Sequence, residues 1–280
     1  MKLHRIAWDG ISLDVPWNWD LAQHSAIKQI RRIVLEDEYS RRLELEWECF
    51  SKQPDYARLR KRYDKAAGRI AASAIESNSI DTGTNGWQAF LYRFPDNDIL
   101  VTALLPAHHA GRFVFLKLQC SNEDTEDPEQ LLQQISESMQ FHDGPLIPWA
   151  AYDVAAEVPA NFALVQTAFQ AGLKRFTFQH ALCRLFLWQA SLADIALKQQ
   201  SKEEWAAALL NKSAAIRGPR FEAGTDGHLT AKRSRTYPLR HYEEIARWTF
   251  RYAAACEHDV AADKLYLWLY NCRRRADLDH

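Results

Sequence analysis

The chain has 280 residues, about twice a common domain length, so two folded domains are expected. Its 47% hydrophobic and 25% charged composition is that of a globular protein, and no apolar run approaches the roughly 18–20 residues that span a bilayer, which excludes a helical membrane protein. The net charge of -1 is an average: residues 1–143 carry 17 Lys/Arg against 22 Asp/Glu and residues 144–280 carry 18 against 14, so the halves face different partners or each other.

The first ten residues hold His4, Arg5 and Asp9 where a secretory leader needs an uninterrupted apolar stretch, which points to a cytoplasmic protein. The five cysteines, Cys49, Cys120, Cys183, Cys256 and Cys272, are odd in number, widely spread and free of CxxC spacing. Reduced thiols and no structural metal are expected.

In chain order, Val15-Pro16-Trp17-Asn18-Trp19 reads as a short strand entering a turn. Lys28–Leu35 and Arg42–Cys49 follow as strands. The second sets Leu43, Leu45, Trp47 and Cys49 on one face and Glu44, Glu46 and Glu48 on the other, predicting a core face and a wet one. From Asp55 to Ala74 the spacing becomes helical, with Leu59, Tyr63, Ala67 and Ile70 on one stripe and Arg58, Arg60, Lys61, Arg62 and Lys65 largely off it. Trp87–Arg93, Ile99–Leu105 and Phe113–Cys120 read as antiparallel strands joined by short turns. Asp127-Pro128-Glu129-Gln130 opens a closing helix, with Asp127 as N-cap and Leu131, Leu132, Ile135 and Met139 buried. His142–Pro148, holding two prolines and a glycine, then reads as a linker, which places the domain boundary near Pro145 and the domains at 1–144 and 145–280.

The second half repeats the first. Val15-Pro16-Trp17-Asn18-Trp19 with Leu21 matches Val158-Pro159-Ala160-Asn161-Phe162 with Leu164, and at the same offset of 143 Arg31-Arg32-Ile33-Val34-Leu35 falls on Lys174-Arg175-Phe176-Thr177-Phe178. Arg42–Leu45 meets Arg184–Leu187 after a slip of one residue, and Phe113–Cys120 meets Leu265–Cys272. Ser201-Lys202-Glu203-Glu204 is a capping box that opens the second copy's helix, with Trp205, Leu209 and Lys212. No counterpart of the closing helix precedes His280, so the second sheet is expected to be covered by the first domain or by a partner, or left partly open. The fold class expected is α+β: two tandem antiparallel-sheet and helix sandwiches related by internal duplication.

The strand entering a V-P-x-x-W turn at Val15–Trp19, the Arg42–Trp47 strand and the order of elements over the first 143 residues resemble the Mog1/PsbP/DcrB-like fold. Its members are mostly non-catalytic, so the resemblance implies binding rather than chemistry, and it carries no functional residue onto this chain.

Candidate sites are few. Neither GxSxG nor GxxxxGK[ST] occurs, no cofactor is implied, Gly83–Gly86 reads as a turn, and His108-His109 reads as exposed loop histidines. Trp17 and Trp19 flank Asn18 in a turn where both rings cannot easily point inward; with Leu265, Leu267 and Trp268 of the uncapped second sheet they are candidates for a partner-binding patch. Residues 217–251 interleave arginine and lysine with aromatics, making Lys232, Arg233, Arg235 and Arg240 candidate anion-binding residues, although 218–235 also reads as a long solvated loop. Arg273–Arg275 reads as a flexible basic end. The expected function is that of a non-enzymatic cytoplasmic adaptor with a protein partner or self-association. Nucleic-acid binding is the alternative.

Overall fold

The computed structural model describes residues 2–49, 56–82, 86–96, 98–105, 112–121, 124, 126–213, 220–222, 228–234 and 249–272. The chain forms two compact units, Met1–Val158 and Pro159–His280. It is sheet-rich α+β, with its paired strands antiparallel in three sheets. His108-His109, Gly83–Asn85 and Arg273–Arg275 lie outside the described residues.

The first unit opens on a hairpin, β1 (Leu3–Trp8) and β2 (Ile11–Pro16), turned through Asp9 and Gly10, both at positive φ as a tight hairpin turn requires. Then come β3 (Asp20–Ile27), β4 (Ile30–Glu36), β5 (Arg41–Cys49), helix α1 (Tyr56–Ala71), β6 (Glu76–Ile80), β7 (Gln88–Arg93), β8 (Asp98–Leu105), β9 (Arg112–Ser121) and helix α2 (Pro128–Ser138). They build a seven-stranded sheet in the order β3-β4-β5-β9-β8-β7-β6. Leu43, Leu45 and Trp47 share its inner face with Leu118, Leu116 and Val114, all buried, because these residues lie directly opposite one another in the register. Asp127 caps α2, accepting from Glu129 N, and α2 buries Leu131, Leu132 and Ile135 while packing against β2, β8 and β9.

The opposite face of β5 is not wet. Helix α1 covers it, with the Tyr63 ring edge-on to Phe115 at 5.2 Å and Arg62 ion-paired to Glu46 and Glu48. Glu44 accepts from Arg32 at 3.1 Å and from Lys117 at 3.3 Å. Alternating glutamates look like a solvated face in sequence, but here they meet cations brought from β4, β9 and α1.

Residues 146–148 of the expected linker are strand. Beyond β10 (Gln140–Phe141), β11 (Leu146–Ala151) and β12 (Val154–Pro159) form a hairpin that joins the first unit in a five-stranded sheet, β10-β2-β1-β11-β12. Ala150 of β11 pairs with Ala7 of β1, and the Trp8 and Trp149 rings meet edge-on at 5.0 Å. The compact units divide at Val158, and β11 satisfies the free edge of β1.

The second unit holds β13 (Ala163–Gln170), β14 (Leu173–His180), β15 (Cys183–Ser191), helices α3 (Ala193–Ala196) and α4 (Lys202–Lys212), β16 (His228–Ser234), β17 (Thr249–Asp259) and β18 (Lys264–Cys272). Its six-stranded sheet runs β13-β14-β15-β18-β17-β16. In each of the two larger sheets the first three strands form a meander, and the last strand returns beside the third. Residues 228–234, expected within a solvated loop, are strand, paired with β17 from His228↔Ala255 to Ser234↔Thr249. The capping box of α4 is complete: Ser201 Oγ accepts from Glu204 N and Glu204 accepts from Ser201 N. Ala206 and Leu210 of α4 complete an apolar core with Phe186, Trp188, Leu265 and Leu267 of the sheet. Among the described residues no helix is long and apolar enough to cross a membrane.

Candidate functional site

A concavity with polar walls lies at one end of the seven-stranded sheet. Three short connections build it: the Pro16–Trp19 turn, the 37–40 loop between β4 and β5, and the segment leading from β9 into α2.

The turn decides the fate of its two tryptophans. Trp17 N donates to Lys2 O and Trp19 N donates to Pro16 O, both at 3.0 Å, which folds the chain back on itself. One ring goes in and the other out: Trp19 is buried, and Trp17 is 62% exposed with Lys2 Nζ 5.7 Å from its ring centroid.

The 37–40 loop is held by a single aspartate. Asp37 Oδ1 accepts from Tyr39 N and Ser40 N, each at 2.8 Å, and its other oxygen accepts from Arg42 Nε at 2.5 Å. Burial alone would raise the Asp37 pKa, but the Ser40 and Tyr39 amides and the Arg42 guanidinium outweigh it and hold the carboxyl below its usual range. Arg42 spends its remaining nitrogens on Asp124, at 2.6 and 3.1 Å, and Asp124 accepts from Ser121 N at 2.7 Å. Burial pulls the Arg42 pKa down, yet the two carboxylates carry it above its ordinary value. Asp37, Arg42 and Asp124 thus pin both loops and are fully used in doing so.

Above this triad opens a cleft of about 650 Å3, with Trp19, Cys120 and Leu131 among its lining and Asn18, Asp98, Glu126 and Tyr39 around it. A second hollow of about 380 Å3 shares Arg42, Asp98 and Cys120 and adds Asp96. Tyr39 is 84% exposed. Asp98 and Glu126 are exposed and have no ion-pair partner among the described residues. Cys120 is no nucleophile: burial, with Asp124 nearby, pushes its thiol up to about 12, so it stays protonated at neutral pH. The arrangement offers shape, exposed aromatic surface and negative charge.

The other candidates fare unequally. Leu265 and Leu267 are wholly buried beneath α4, on the face of β18 that joins the core, so neither is open to a partner. Trp268 points to the opposite face, half-buried, across from Leu187 and Ala255. The expectation of an open sheet missed that α4 covers one face of β18 whatever happens at the other. Trp17 and Trp19 belong to the first unit and Trp268 to the second. Lys232 and Arg233 belong to β16, and Arg235 and Arg240 lie outside the described residues. Reasoning from sequence missed Asp37, Tyr39, Asp98, Asp124 and Glu126; the spacing Asp37-x-x-Ser40 was a legible turn signal.

No family model and no curated protein sequence matches the chain. Among solved structures it is similar to cyanobacterial PsbP from Synechocystis, at 14% identity and a TM-score of 0.32 over 50% of this chain and 92% of that one. It is similar to Mog1 at 11% identity and a TM-score of 0.34, over 51% of this chain and 97% of that one. The T6SS immunity protein TplEi from Pseudomonas aeruginosa, solved with a peptide, matches 98% of this chain and 87% of its own, at 9% identity and a TM-score of 0.30. The weak Mog1/PsbP-like resemblance is present over about half the chain, and it concerns the fold alone.

Proposed function

We propose that this chain is a non-catalytic interaction protein, working in the cytoplasm, that grips a cationic segment of a partner protein in the cleft of its first unit. The observation that carries the reading is the combination at that cleft: a cavity of about 650 Å3 with Tyr39 exposed and the Asp98 and Glu126 carboxylates unpaired among the described residues. An approaching lysine or arginine gains both charge complementarity and aromatic contact there, and rim charges of this kind steer encounter and select partners. Asp37, Arg42 and Asp124 hold the loops in place beforehand, which lowers the ordering cost of binding.

The same reading includes duplication of one unit. Support comes from the shared winding of the two larger sheets and from the pairing of Ala7 with Ala150, which stand at the repeat offset of 143. On this view the second copy begins near Pro145 in sequence while its first hairpin is held by the first unit.

The test is capture of partners by the tagged full chain from its own cells, with and without nuclease, beside Asp98→Lys/Glu126→Lys. A stoichiometric protein that survives nuclease and is lost from the charge-reversed variant is the expected result. Retention by the variant refutes the cleft, and disappearance of all captured material on nuclease treatment refutes the protein partner in favour of nucleic acid.

A further inference from the structure

The second unit brings three metal-ligating side chains to one end of its sheet. Strands β15, β18 and β17 are neighbours in that order, with Ser191 and Asp259 both opposite Lys264. Asp194 follows β15, Asp263 precedes β18 and His258 lies near the end of β17, so their convergence follows from strand order. One potential ligand atom from each lies within 4.8 Å of the other two.

Two of the three are tightly placed. Asp263 adopts φ 51° and accepts from Ala193 N through its carbonyl at 3.1 Å and from Asp194 N through Oδ1 at 2.7 Å. That leaves its second carboxylate oxygen uncommitted by these bonds. His258 Nε2 is shut off from solvent and has no hydrogen-bond partner among the described residues; Asp194 Oδ1, at 4.0 Å, is too far to serve as one. A buried ring nitrogen left without a partner carries its full desolvation penalty unless something else satisfies it. Asp194 is 76% exposed and free to adjust its rotamer, while His258 is 21% exposed.

We propose that His258, Asp194 and Asp263 form a binding site for a divalent transition-metal ion, zinc by the character of the donors. Neutral imidazole and carboxylate suit zinc, and three protein ligands leave a fourth position for water. Bonds of about 2.0 Å in a tetrahedral shell set donors about 3.3 Å apart, so the exposed Asp194 draws inward on binding. Bound metal would tie the ends of three adjacent strands together and stabilise the second unit. The site is independent of the cleft in the first unit.

The experiment is titration of the reduced, chelator-treated full chain with Co2+, followed by its visible absorption, and then displacement with Zn2+. The wild type should develop weak d–d bands without near-ultraviolet thiolate charge transfer. Asp194→Asn, which changes only an exposed side chain, and His258→Gln should each weaken Zn2+ binding at least tenfold, since losing even an outer contact of a metal site costs roughly 10–100-fold. A rise in thermal stability with Zn2+ should be seen in the wild type and not in Asp194→Asn. Absence of binding, thiolate bands, or equal affinity in the wild type and Asp194→Asn overturns the site.

Discussion

The two units solve one packing problem with opposite chemistry. On the helix-covered face of the third strand, the first unit has Glu44, Glu46 and Glu48 where the second has Phe186, Trp188 and Ala190. Helix α1 answers the glutamates with Arg62 and one buried ring, Tyr63, whereas α4 lays Ala206, Ala207 and Leu210 on an apolar floor. The same strand winding therefore tolerates either a charged or an oily seam between helix and sheet, provided the helix changes with it. The difference in expected stability is large, because apolar burial contributes about 1.5–3 kcal/mol per large side chain while exposed ion pairs contribute about 0–1.

Three experiments break or sharpen this contrast. Leu267→Ala in the apolar seam should have the largest effect, about 2–5 kcal/mol, through lost transfer energy and a cavity. Denaturant unfolding followed by circular dichroism reads it, and a cost under 1 kcal/mol would mean that the seam is loosely packed. Asp37→Asn comes next, at about 1.5–3 kcal/mol near neutral pH, because it removes the charge from a hydrogen-bonded triad. Asp37 and the separately paired Glu44 also predict a pH response. Asp37 and Glu44 are held below their ordinary values of 3.8 and 4.5, so the unfolded chain takes up protons there before the folded one does. Their stabilisation is present above about pH 4.5 and is lost as the pH falls through that range toward the lower folded values. The melting temperature of the wild type should drop there, and Asp37→Asn should drop less steeply. Arg62→Ala, on the charged seam, should cost least, below about 1 kcal/mol, and the loss should shrink further in high salt. A salt-independent loss would show that Arg62 acts through packing of its stem.

Much of this architecture was legible beforehand, and unevenly so. Strands β4, β5, β7, β8 and β9 and helices α1, α2 and α4 follow from period and caps, since Asp127 and the Ser201–Glu204 box stop and start helices by local hydrogen bonds. Strands β3, β6 and β13 escaped, because they are edge strands whose exposed residues carry little alternation. The sites were less legible still. Asp37 and Arg42 are neighbours in sequence, but Asp124 joins them across the sheet, and His258 meets Asp194 only because β18 lies between β15 and β17.

The sequence by itself determined the helices with their caps and which strand faces carry apolar side chains. These are local properties, set by side-chain period and by groups a few residues apart. Only the tertiary structure decided that the last strand returns beside the third, that β11 fills the edge of β1, and that the glutamates of β5 meet cations rather than water. Edge pairing and charge neutralisation depend on partners tens of residues away, and a strand carries no local record of what will cover it.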